Sequence, residues 1–448
     1  MIQIKSSLSI VLLVSLLCVC TLSKSVSINN DSFDDKQCSS GRMYIAESIP
    51  VYVNLTTNIT TYEAWMNLIN NAQESIDLGL FYMTLTDGAD YPSIYGGYMG
   101  MDFYKALINA AQRGVTIRIV QNLPSASQPA NDTTNLANMG VAQVRTINWP
   151  SLVGNGILHT KMIVVDKTNA YVGSANFDWR SLAQVKELGV VVENCKTLVE
   201  DTKIAFEQYW DAAIMTQLPS KWPSKDKAKF NATHPAQLQL NGEAVSMFLA
   251  VSPPQFVSKD RTGDIDALVA AINAANQSVC ISVMDYAPSS FYNYPNTFWP
   301  VIDDALRAAA YNRRVQVRVM VSHWNHTNTK IIPQFLHSLA QVNNIQVRWF
   351  QVPDMPVQPQ VPYSRVNHAK YMVTEQQSYV GTSNWSQDYF TNTGGLSYNI
   401  FNADFTSQLQ SIFDRDWNSQ YTFPVTTCDS FIQQIANTSS SVRLEYNH

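Results

Sequence analysis

The sequence predicts an α/β fold made of two homologous α/β sandwich domains that pack about a pseudo-twofold axis around one shared active site. Three observations support this prediction. Helical patterns alternate with apolar strand patterns along the chain, which is typical of α/β layers. The order of these patterns repeats in the second half, which indicates a duplicated unit. Each half also carries one copy of the same polar motif, and neither copy alone provides a complete site.

The individual elements follow from local patterns. LINNAQESIDLGLFYM in the first half has nearly the same pattern as AAINAANQSVCISVMDY in the second half, and FEQYWD is matched by FDRDWN. Helical and strand periodicities then define the elements. Those of the first half are helix Tyr62–Ala72, strand Ser75–Tyr82, helix Asp102–Gln112, strand Val115–Val120, strands Met162–Val165 and Ala170–Val172, and helix Thr197–Trp210. Those of the second half are helix Asp264–Ala275, strand Ser278–Asp285, helix Val301–Asn312, strand Val315–Val321, helix Pro333–Ala340, strands Ile345–Phe350, Tyr371–Val373 and Ser378–Val380, and helix Phe405–Phe413.

The repeated polar motif reads HTKMIVVDKTNAYVGSANFDWRS in the first half and HAKYMVTEQQSYVGTSNWSQDYF in the second. Each copy has a His, a Lys two residues later, an acid five residues after that, and then Gly-Ser/Thr-x-Asn. The first copy contains His159, Lys161, Asp166, Gly173, Ser174 and Asn176. The second copy contains His368, Lys370, Glu375, Gly381, Thr382 and Asn384. Alternate side chains of a strand share a face, so the His and Lys of each copy point the same way.

Two such faces brought together would hold two imidazoles, two ammonium groups and two carboxamides. This set suits a phosphodiester, because ammonium and amide groups can hold the non-bridging oxygens as charge builds on them. One neutral imidazole can attack phosphorus while a second, protonated imidazole donates to the leaving oxygen. An imidazole pKa near ~6.5 makes both states accessible. We expect no metal ion or other cofactor, because the lysines supply the positive charge.

Some residues of the motif have a second interpretation. The acids Asp166 and Glu375 belong to the candidate catalytic set, but an acid at a strand end can also simply cap a turn. Trp179 and Trp385 could stack on a base or a lipid headgroup, yet tryptophans beside a site commonly serve for packing. We therefore leave both tryptophans out of the catalytic set.

These motifs resemble the H-x-K-x-x-x-x-D motif of the phospholipase D superfamily, followed by its G-S-x-N signature. The chain is most similar to the small lumenal branch that contains lysosomal single-strand 5′-exonucleases. Three segments carry this closer resemblance, namely VKELGVVV, NHAKYMVTE and YVGTSNWS. The similarity extends from about Cys38 to Trp417. Glu375 replaces the usual Asp of the superfamily, a feature that the lumenal branch shares.

The resemblance implies roles for individual residues. His159 would be the nucleophile and His368 the general acid and then base, although the two roles could be exchanged. Lys161, Lys370, Asn176 and Asn384 would bind phosphate, and Ser174 and Thr382 would support the site. Glu187 stands where the superfamily often has an acid that orients a catalytic His. The corresponding segment 393–397 has no carboxylate, so the group that orients one of the histidines is left open. The resemblance also indicates a possible homodimer.

Composition and charge set further limits. The chain has 448 residues, 46% of them hydrophobic and 15% charged, with a formal net charge of −5. This length exceeds a single core and therefore predicts at least two domains. The negative charge excludes bulk attraction to nucleic acid, so any binding of a single strand must be local.

The N-terminal segment Met1–Ser23 has Lys5 followed by an apolar run and small residues. This pattern predicts a secretory signal peptide, since the run is short for a membrane span. The alternative is a retained type II membrane anchor, as the lumenal branch often has. We expect the mature chain in the lumen of the secretory pathway, either lysosomal or endosomal, or secreted.

Cysteines and sequons agree with an oxidising compartment. Beyond the predicted signal peptide lie Cys38, Cys195, Cys280 and Cys428, an even number that could form disulfides. The lumenal branch has a similar disulfide there, which indicates a bridge between Cys38 and Cys195. Cys280 lies in an apolar strand pattern and is either a buried free thiol, with Cys428 also unpaired, or the partner of Cys428. Predicted glycosylation sites are Asn30, Asn54, Asn58, Asn131, Asn231, Asn276, Asn325 and Asn437. Asn384 also fits the sequon, but a glycan there would block the site.

The predicted domain organisation follows from these patterns. It comprises a signal peptide 1–23, an N-terminal arm 24–43, a first half 44–217, a linker 218–245, a second half 246–425 and a tail 426–448. Two long polar loops, 86–100 and 352–366, are candidates for the rim of the site, or else plain surface connections.

The sequence thus predicts a metal-independent phosphodiesterase that works through a covalent phosphohistidine. Its substrate would be a phospholipid headgroup, such as phosphatidylcholine cleaved to phosphatidic acid and choline. The alternative substrate is single-stranded DNA or RNA, cleaved from its 5′ end at the same site. A third hypothesis is an inactive lumenal binding protein, which the intact His and Lys pairs disfavour.

Overall fold

The structure is a computed structural model that describes residues 38, 40–293 and 295–425. The first half forms a seven-stranded sheet in the order β1-β9-β7-β6-β2-β4-β5. Its strands are β1 Arg42–Ser48, β2 Ser75–Leu80, β4 Thr116–Asn122, β5 Gln143–Ile147, β6 Lys161–Val165, β7 Asn169–Gly173 and β9 Glu187–Glu193. The two-residue strands β3 Met83–Thr84 and β8 Phe177–Asp178 pair separately.

The second half forms a larger sheet in the order β10-β11-β18-β17-β16-β13-β14-β15-β19, with β12 paired to β11. Its strands are β10 Ala236–Leu240, β11 Glu243–Ser252, β12 Thr262–Gly263, β13 Ser278–Val283, β14 Gln316–Ser322, β15 Ile345–Phe350, β16 Lys370–Thr374, β17 Ser378–Gly381, β18 Gly395–Phe401 and β19 Thr422–Pro424. The run β18-β17-β16-β13-β14-β15 repeats β9-β7-β6-β2-β4-β5 of the first sheet strand for strand. This repeat confirms the predicted α/β fold with two homologous halves.

Helices connect the strands and cover the sheets. They are α1 Thr61–Asn70, α2 Tyr98–Gln112, α3 Asn131–Asn138, α4 Trp149–Val153, α5 Trp179–Ala183, α6 Lys196–Ala212, α7 Asp264–Ala274, α8 Val301–Arg313, α9 Ile332–Ala340, α10 Gln387–Thr391 and α11 Ala403–Trp417. Local sequence explains where some begin. At α1, the Thr60 hydroxyl accepts from the backbone N–H of Glu63, and the Glu63 carboxylate accepts from the N–H of Thr60. This capping box satisfies N–H groups that the first turn of a helix leaves unpaired.

The apolar core has three main parts. One cluster lies on the outer face of the first sheet and includes Trp65 of α1 and Phe103 of α2. A second cluster covers the outer face of the second sheet with residues of α7, α8 and α9. The largest cluster joins the two sheets, with Met162 from β6, Tyr398 from β18 and Phe206 from α6 among its members. Burial of apolar area between the sheets therefore holds the two halves face to face.

All the predicted helices and strands occur in the structure, with ends shifted by up to four residues. The elements that were not predicted are strands β1, β3, β5, β8, β9, β10, β11, β12, β18 and β19 and helices α3, α4, α5 and α10. Strands β10 and β11 begin inside the predicted linker 218–245 and pair with each other and with β18. Short strands such as β5 carry few residues, so their pattern is too brief to separate from a loop.

The predicted disulfide between Cys38 and Cys195 is present and joins residues 157 positions apart. Among the cysteines that the structure describes, Cys280 is a buried free thiol. The signal peptide, Asn30, Cys428, Asn437 and the tail 426–448 lie outside the described residues. Among the residues that the structure describes, no helix has the length and apolar character needed to span a membrane.

Candidate active site

Both motif histidines lie where one half of the chain contacts the other. The backbone N–H of His159 donates to the carbonyl of Gly394 at 2.9 Å, and that of His368 donates to the carbonyl of Lys186 at 2.7 Å. Two short parallel bridges accompany these bonds, Leu158 with Gly394 and Lys186 with Asn367. Each motif strand is therefore anchored at its entry by the opposite half, which places the two histidines together.

The histidines line a common cavity of about 330 Å³. Its wall also includes Asn176 and Glu187 from the first half and Tyr363 from the second. His159 is 5% exposed and His368 is 8% exposed. A substrate phosphate that enters this cavity would thus meet both imidazoles in surroundings largely shielded from water.

The two imidazoles have different orienting partners. His159 Nδ1 lies 3.1 Å from the backbone carbonyl oxygen of Thr382. A carbonyl can only accept, so Nδ1 carries the proton and Nε2 keeps a free lone pair. His368 Nδ1 lies 2.8 Å from Oε2 of Glu187, a carboxylate that can stabilise an imidazolium. Both partners come from the opposite half, and the carbonyl of Thr382 fills the position for which the sequence offered no carboxylate.

Glu187 is itself held in place. Its side chain is fully buried, and Ser181 Oγ donates to its Oε1 at 2.9 Å. Burial raises the pKa of Glu187, but the charge and hydrogen bond of His368 outweigh this effect and hold the pKa below its usual range. Glu187 is therefore an anion that faces His368.

The lysines of the two motifs are buried on β6 and β16. Lys161 Nζ donates to the carbonyl of His159 at 2.6 Å, and Lys370 Nζ makes the same bond to the carbonyl of His368. An ammonium has three N–H groups, so each lysine retains donors for substrate oxygens. Burial and the mutual repulsion of the two charges lower the pKa of Lys161 well below its usual value. Burial lowers the pKa of Lys370 to about 7, against the opposing effect of Glu187.

The histidines are also less basic than free imidazole. Burial lowers the pKa of His159 well below its usual value, and the charges of Lys161 and Lys370 add to this effect. Burial lowers the pKa of His368 to about 4, although Glu187 acts in the opposite direction. A bound phosphodiester anion would raise both pKa values, because it offsets the lysine charges.

The asparagines and hydroxyls of the motifs serve different purposes. The side-chain oxygens of Asn176 and Asn384 are buried and without hydrogen-bond partners among the described residues. Ser174 Oγ accepts from the N–H of Leu188 at 2.9 Å, and Thr382 Oγ1 accepts from the N–H of Leu396 at 3.0 Å. The two hydroxyls thus join the segments that follow β7 and β17 to β9 and β18, respectively.

The acids of the motifs do not face the cavity. Asp166 accepts from the backbone N–H groups of Gln73, Glu74 and Ser75 at 2.7–2.8 Å. Glu375 accepts from the N–H groups of Asn276 and Ser278. Seven residues of extended chain separate each acid from its His, a distance of roughly 20 Å. Their inclusion in the catalytic set was therefore wrong on geometric grounds, and the turn-capping interpretation fits instead.

Replacing Asp166 by Ala should destabilise the protein by about 1–3 kcal/mol, because it leaves backbone donors without their charged acceptor. We expect kcat to stay unchanged, since the carboxylate touches the turn before β2 and not the cavity. Urea unfolding and steady-state kinetics on the same preparation would measure both effects. Glu74→Ala, which removes an exposed carboxylate from the same turn, is the matched control. A loss of kcat without loss of stability would contradict this assignment.

The predicted rim loops differ in their positions. Tyr363 and Val366 of loop 352–366 line the cavity. In loop 86–100, Tyr95 packs instead in a separate cluster that includes Trp179 and Met355. Trp179 and Trp385 are buried, with 2% and 0% exposure, in agreement with the packing interpretation.

Predicted sequons differ in exposure. Asn54, Asn58, Asn131, Asn276 and Asn325 are exposed, and Asn231 is half-buried. Asn384 is 1% exposed, which would not admit a glycan. Glycosylation at the exposed positions stays a prediction.

Sequence reasoning missed several residues of the site. Ser181 holds Glu187, and the ring of Phe81 lies 5.5 Å from that of His159. Asp285 contacts Asn384, and Tyr389 contacts both Asn384 and His159. Ser181 lies within the first motif segment and could have been noticed, whereas the contact with Thr382 uses a backbone carbonyl, which every residue has. Across residues 38, 40–293 and 295–425, no three His, Cys, Asp or Glu side chains form a group that could hold a metal ion.

The chain is similar to a known protein family and to proteins named phospholipase D. A family described as "PLD3/4, PLD-like domain" matches residues 53–355. Phospholipase D Z from Dictyostelium discoideum is 68% identical over 90% of this chain and 96% of its own length. Phospholipase D Y from the same organism is 60% identical over 87% of this chain and 93% of its own length.

Other relatives carry a different name. The 5′-3′ exonuclease PLD3 from Xenopus laevis is 42% identical over 90% of this chain and 84% of its own length. Among solved structures, phosphatidylserine synthase from Haemophilus influenzae superposes with a TM-score of 0.55 over 90% of this chain and 94% of its own, at 10% identity. That likeness concerns the fold alone. From its fold, its paired motifs and these relatives, the chain belongs to the PLD3/4 family of the phospholipase D superfamily and is a phosphodiester hydrolase.

Proposed function

We propose that this enzyme hydrolyses the headgroup phosphodiester of a phospholipid, such as phosphatidylcholine, through a phosphohistidine on His159. The observation that carries the catalytic part is the unequal orientation of the two imidazoles. Thr382 leaves His159 Nε2 with a free lone pair, whereas Glu187 favours the protonated state of His368. The nucleophile and the acid are thereby assigned to different halves.

The reaction then proceeds in two balanced steps. Nε2 of His159 attacks phosphorus, the P–N bond forms, and the bond to the leaving oxygen breaks as His368 gives that oxygen its proton. His368, now neutral, next takes a proton from water, whose oxygen attacks phosphorus and breaks the P–N bond. His159 is regenerated neutral and His368 is again protonated.

Phosphate binding falls to the buried cations and amides. Lys161, Lys370, Asn176 and Asn384 would hold the non-bridging oxygens, and the two ammonium groups would stabilise the charge of the transition state. These positive charges are the reason to propose that no metal ion takes part. EDTA should then leave kcat unchanged, and inhibition by EDTA that added Mg²⁺ or Ca²⁺ reverses would contradict this part of the proposal.

Two observations support a lipid substrate. The relatives that are 68% and 60% identical to this chain are named phospholipase D. Exposed aromatic side chains also lie near the cavity. Tyr363 lines it and is 60% exposed, and Tyr292, which is 68% exposed, contacts Tyr389 next to His159. Amphipathic rings of this kind suit a membrane–water interface.

A second candidate is stepwise cleavage of single-stranded nucleic acid from its 5′ end. A relative that is 42% identical to this chain carries the name 5′-3′ exonuclease. The ring of Tyr363 also stacks on His326 at 4.5 Å, and Trp324 packs against His326 at 4.8 Å. Trp324 and Tyr363 both line the cavity, and stacked rings could equally receive a base.

One experiment separates the two substrates. The purified chain, with His159→Asn as the inactive control, is given phosphatidylcholine vesicles and, separately, an oligonucleotide with a free 5′ end. Both assays are run at mildly acidic and at neutral pH. Release of choline without shortening of the oligonucleotide supports the lipid proposal. Stepwise shortening without choline release overturns it in favour of the exonuclease, and no reaction with either substrate would revive the hypothesis of an inactive binding protein.

The compartment and the oligomeric state belong to the same proposal. We expect the enzyme in the lumen of the secretory pathway or in lysosomes, because the Cys38–Cys195 disulfide favours an oxidising compartment. The low pKa of Lys370, about 7, also favours an acidic one, since the ammonium is half charged at that pH and becomes fully charged only as the pH falls further. The homodimer stays a prediction, which light scattering of the purified chain would test.

A further inference from the structure

Asp285 is a buried carboxyl group beside the site to which the reaction above assigns no role. It follows β13 and is 8% exposed. Its backbone carbonyl accepts from the N–H of Trp385 at 2.9 Å, so it is fixed against the segment that carries Asn384. Its Oδ2 lies 3.3 Å from Nδ2 of Asn384. The carboxyl group thus touches an amide that we assign to phosphate binding.

The amide of Asn384 is occupied on its donor side. Nδ2 donates to Asp285 Oδ2 and also, at 3.2 Å, to the hydroxyl of Tyr389. An amide nitrogen has two N–H groups, so these partners use both of them. Oδ1 of Asn384 is buried and has no donor among the described residues. In this arrangement the amide has no N–H group left for a phosphate oxygen.

The two halves differ at this position. Leu80 pairs with Lys161 in the first sheet, and Val283 pairs with Lys370 in the second. Two residues further along, Tyr82 and Asp285 are therefore structural counterparts. The Tyr82 hydroxyl donates to Asp178 at 3.0 Å. The first half thus has a phenol where the second has a carboxyl group, and only the carboxyl group can change charge at mildly acidic pH.

The groups that face Asp285 can be named by element. Lys370 on β16 interacts with it electrostatically, and Tyr389 on α10 and Tyr292 on the loop after β13 sense its charge. Burial raises the pKa of Asp285 to about 6, although Lys370 acts in the opposite direction. Asp285 therefore changes from carboxylic acid to carboxylate between mildly acidic and neutral pH, while both tyrosines stay neutral.

We propose that Asp285 is a protonation-dependent positioning residue, which withholds Asn384 and Lys370 from the substrate as a carboxylate and releases them as a carboxylic acid. The carboxylate accepts an N–H of Asn384 and offsets the charge of Lys370. The carboxylic acid carries an O–H donor, which can satisfy Oδ1 of Asn384 once the amide turns about its terminal bond, so that N–H groups become available to phosphate. Substrate binding is thereby favoured at acidic pH.

The proposal rests on the phosphodiesterase function and on Asn384 as a phosphate ligand, but not on the choice between lipid and nucleic acid. The test therefore uses bis(p-nitrophenyl) phosphate, a monoanion throughout the pH range of interest. KM and kcat are measured between about pH 5 and 8 for the whole chain and for Asp285→Asn, whose amide can also donate to Oδ1 of Asn384. If substrate binding requires one group to be protonated, KM rises by about tenfold per pH unit at pH values well above the pKa of that group.

We expect log KM of the wild type to rise with pH above about 6. In Asp285→Asn, the limiting slope of log KM against pH should be one unit smaller. The variant keeps the low KM of the acidic wild type to higher pH, and its kcat changes little. Asp264→Asn is the matched control. Asp264 is also buried with a pKa raised to about 6, but it bonds to Tyr379 and Ser397 away from the cavity, so its variant should keep the wild-type slope.

Equal limiting slopes of log KM against pH in the wild type and Asp285→Asn would overturn the proposal. A slope that is also one unit smaller in Asp264→Asn would overturn it as well. If Asp285→Asn does not fold, Asn384→Ala replaces it. This variant should bind more weakly at acidic pH and approach the wild type at neutral pH, where Asp285 already withholds the amide. A constant ratio of KM values would contradict the proposal. Absence of any turnover by the wild type would instead count against the proposed function.

Discussion

Replacing His368 by Asn is expected to leave an enzyme that forms the covalent intermediate but does not hydrolyse it, whereas replacing His159 by Asn abolishes both steps. A p-nitrophenolate leaving group needs no proton, so the first step no longer depends on His368. The second step does, because water must lose a proton as it attacks. We expect the steady-state kcat to fall by about 10²–10⁴-fold in His368→Asn.

The measurement is a burst of p-nitrophenolate from bis(p-nitrophenyl) phosphate. His368→Asn should release about one equivalent per enzyme and then stop, and mass spectrometry should find a p-nitrophenyl phosphoryl group on His159. His159→Asn should give no burst. The fold should survive, since the Asn amide can still donate to the carbonyl of Thr382 as Nδ1 does. Circular dichroism of both variants would check that they are folded. A burst in His159→Asn but not in His368→Asn would mean that His368 is the nucleophile and His159 the general acid.

Replacing either buried lysine by Met should lower kcat/KM by about 10²–10³-fold. Lys161 and Lys370 are both fully buried and bond to the carbonyl of their own motif histidine. Met has a similar length to Lys but no charge, so the substitution leaves no large void. The loss of kcat/KM therefore measures electrostatic stabilisation of the phosphoryl group. Lys105→Met, at an exposed position of α2, should leave kcat/KM unchanged.

The same variants should not lose stability, which distinguishes catalysis from a structural role. Burial lowers the pKa of both lysines, so folding disfavours their charged form at every pH below their usual value. Removing the charge should therefore leave the melting temperature unchanged or raise it. The activity difference from the wild type should be largest at acidic pH and shrink above about pH 7, where Lys370 itself loses its proton. Lower activity accompanied by a lower melting temperature would contradict this view.

Much of this protein could be predicted from sequence because the relevant signals are local. The duplicated motif, the alternation of helices and strands, and the His-x-Lys spacing on a strand are all features of neighbouring residues. They were sufficient to predict the fold and the phosphodiesterase chemistry. The Cys38–Cys195 bridge was predicted from the resemblance to the lumenal branch. Motif spacing could not distinguish a catalytic acid from a turn cap, so Asp166 and Glu375 were placed in the wrong set.

The tertiary structure decided what depends on contact between the halves. Glu187 was recognised as an orienting acid, but only the packing of the two sheets shows that it serves His368 of the other half. The partner of His159 is the carbonyl of Thr382, a backbone group that no residue pattern marks. The proximity of Asp285 to Asn384 lies within the second half and joins two loops about 100 residues apart in the chain. Sequence by itself thus determined which chemical groups are present, and the burial of apolar area between the sheets decided which of them meet.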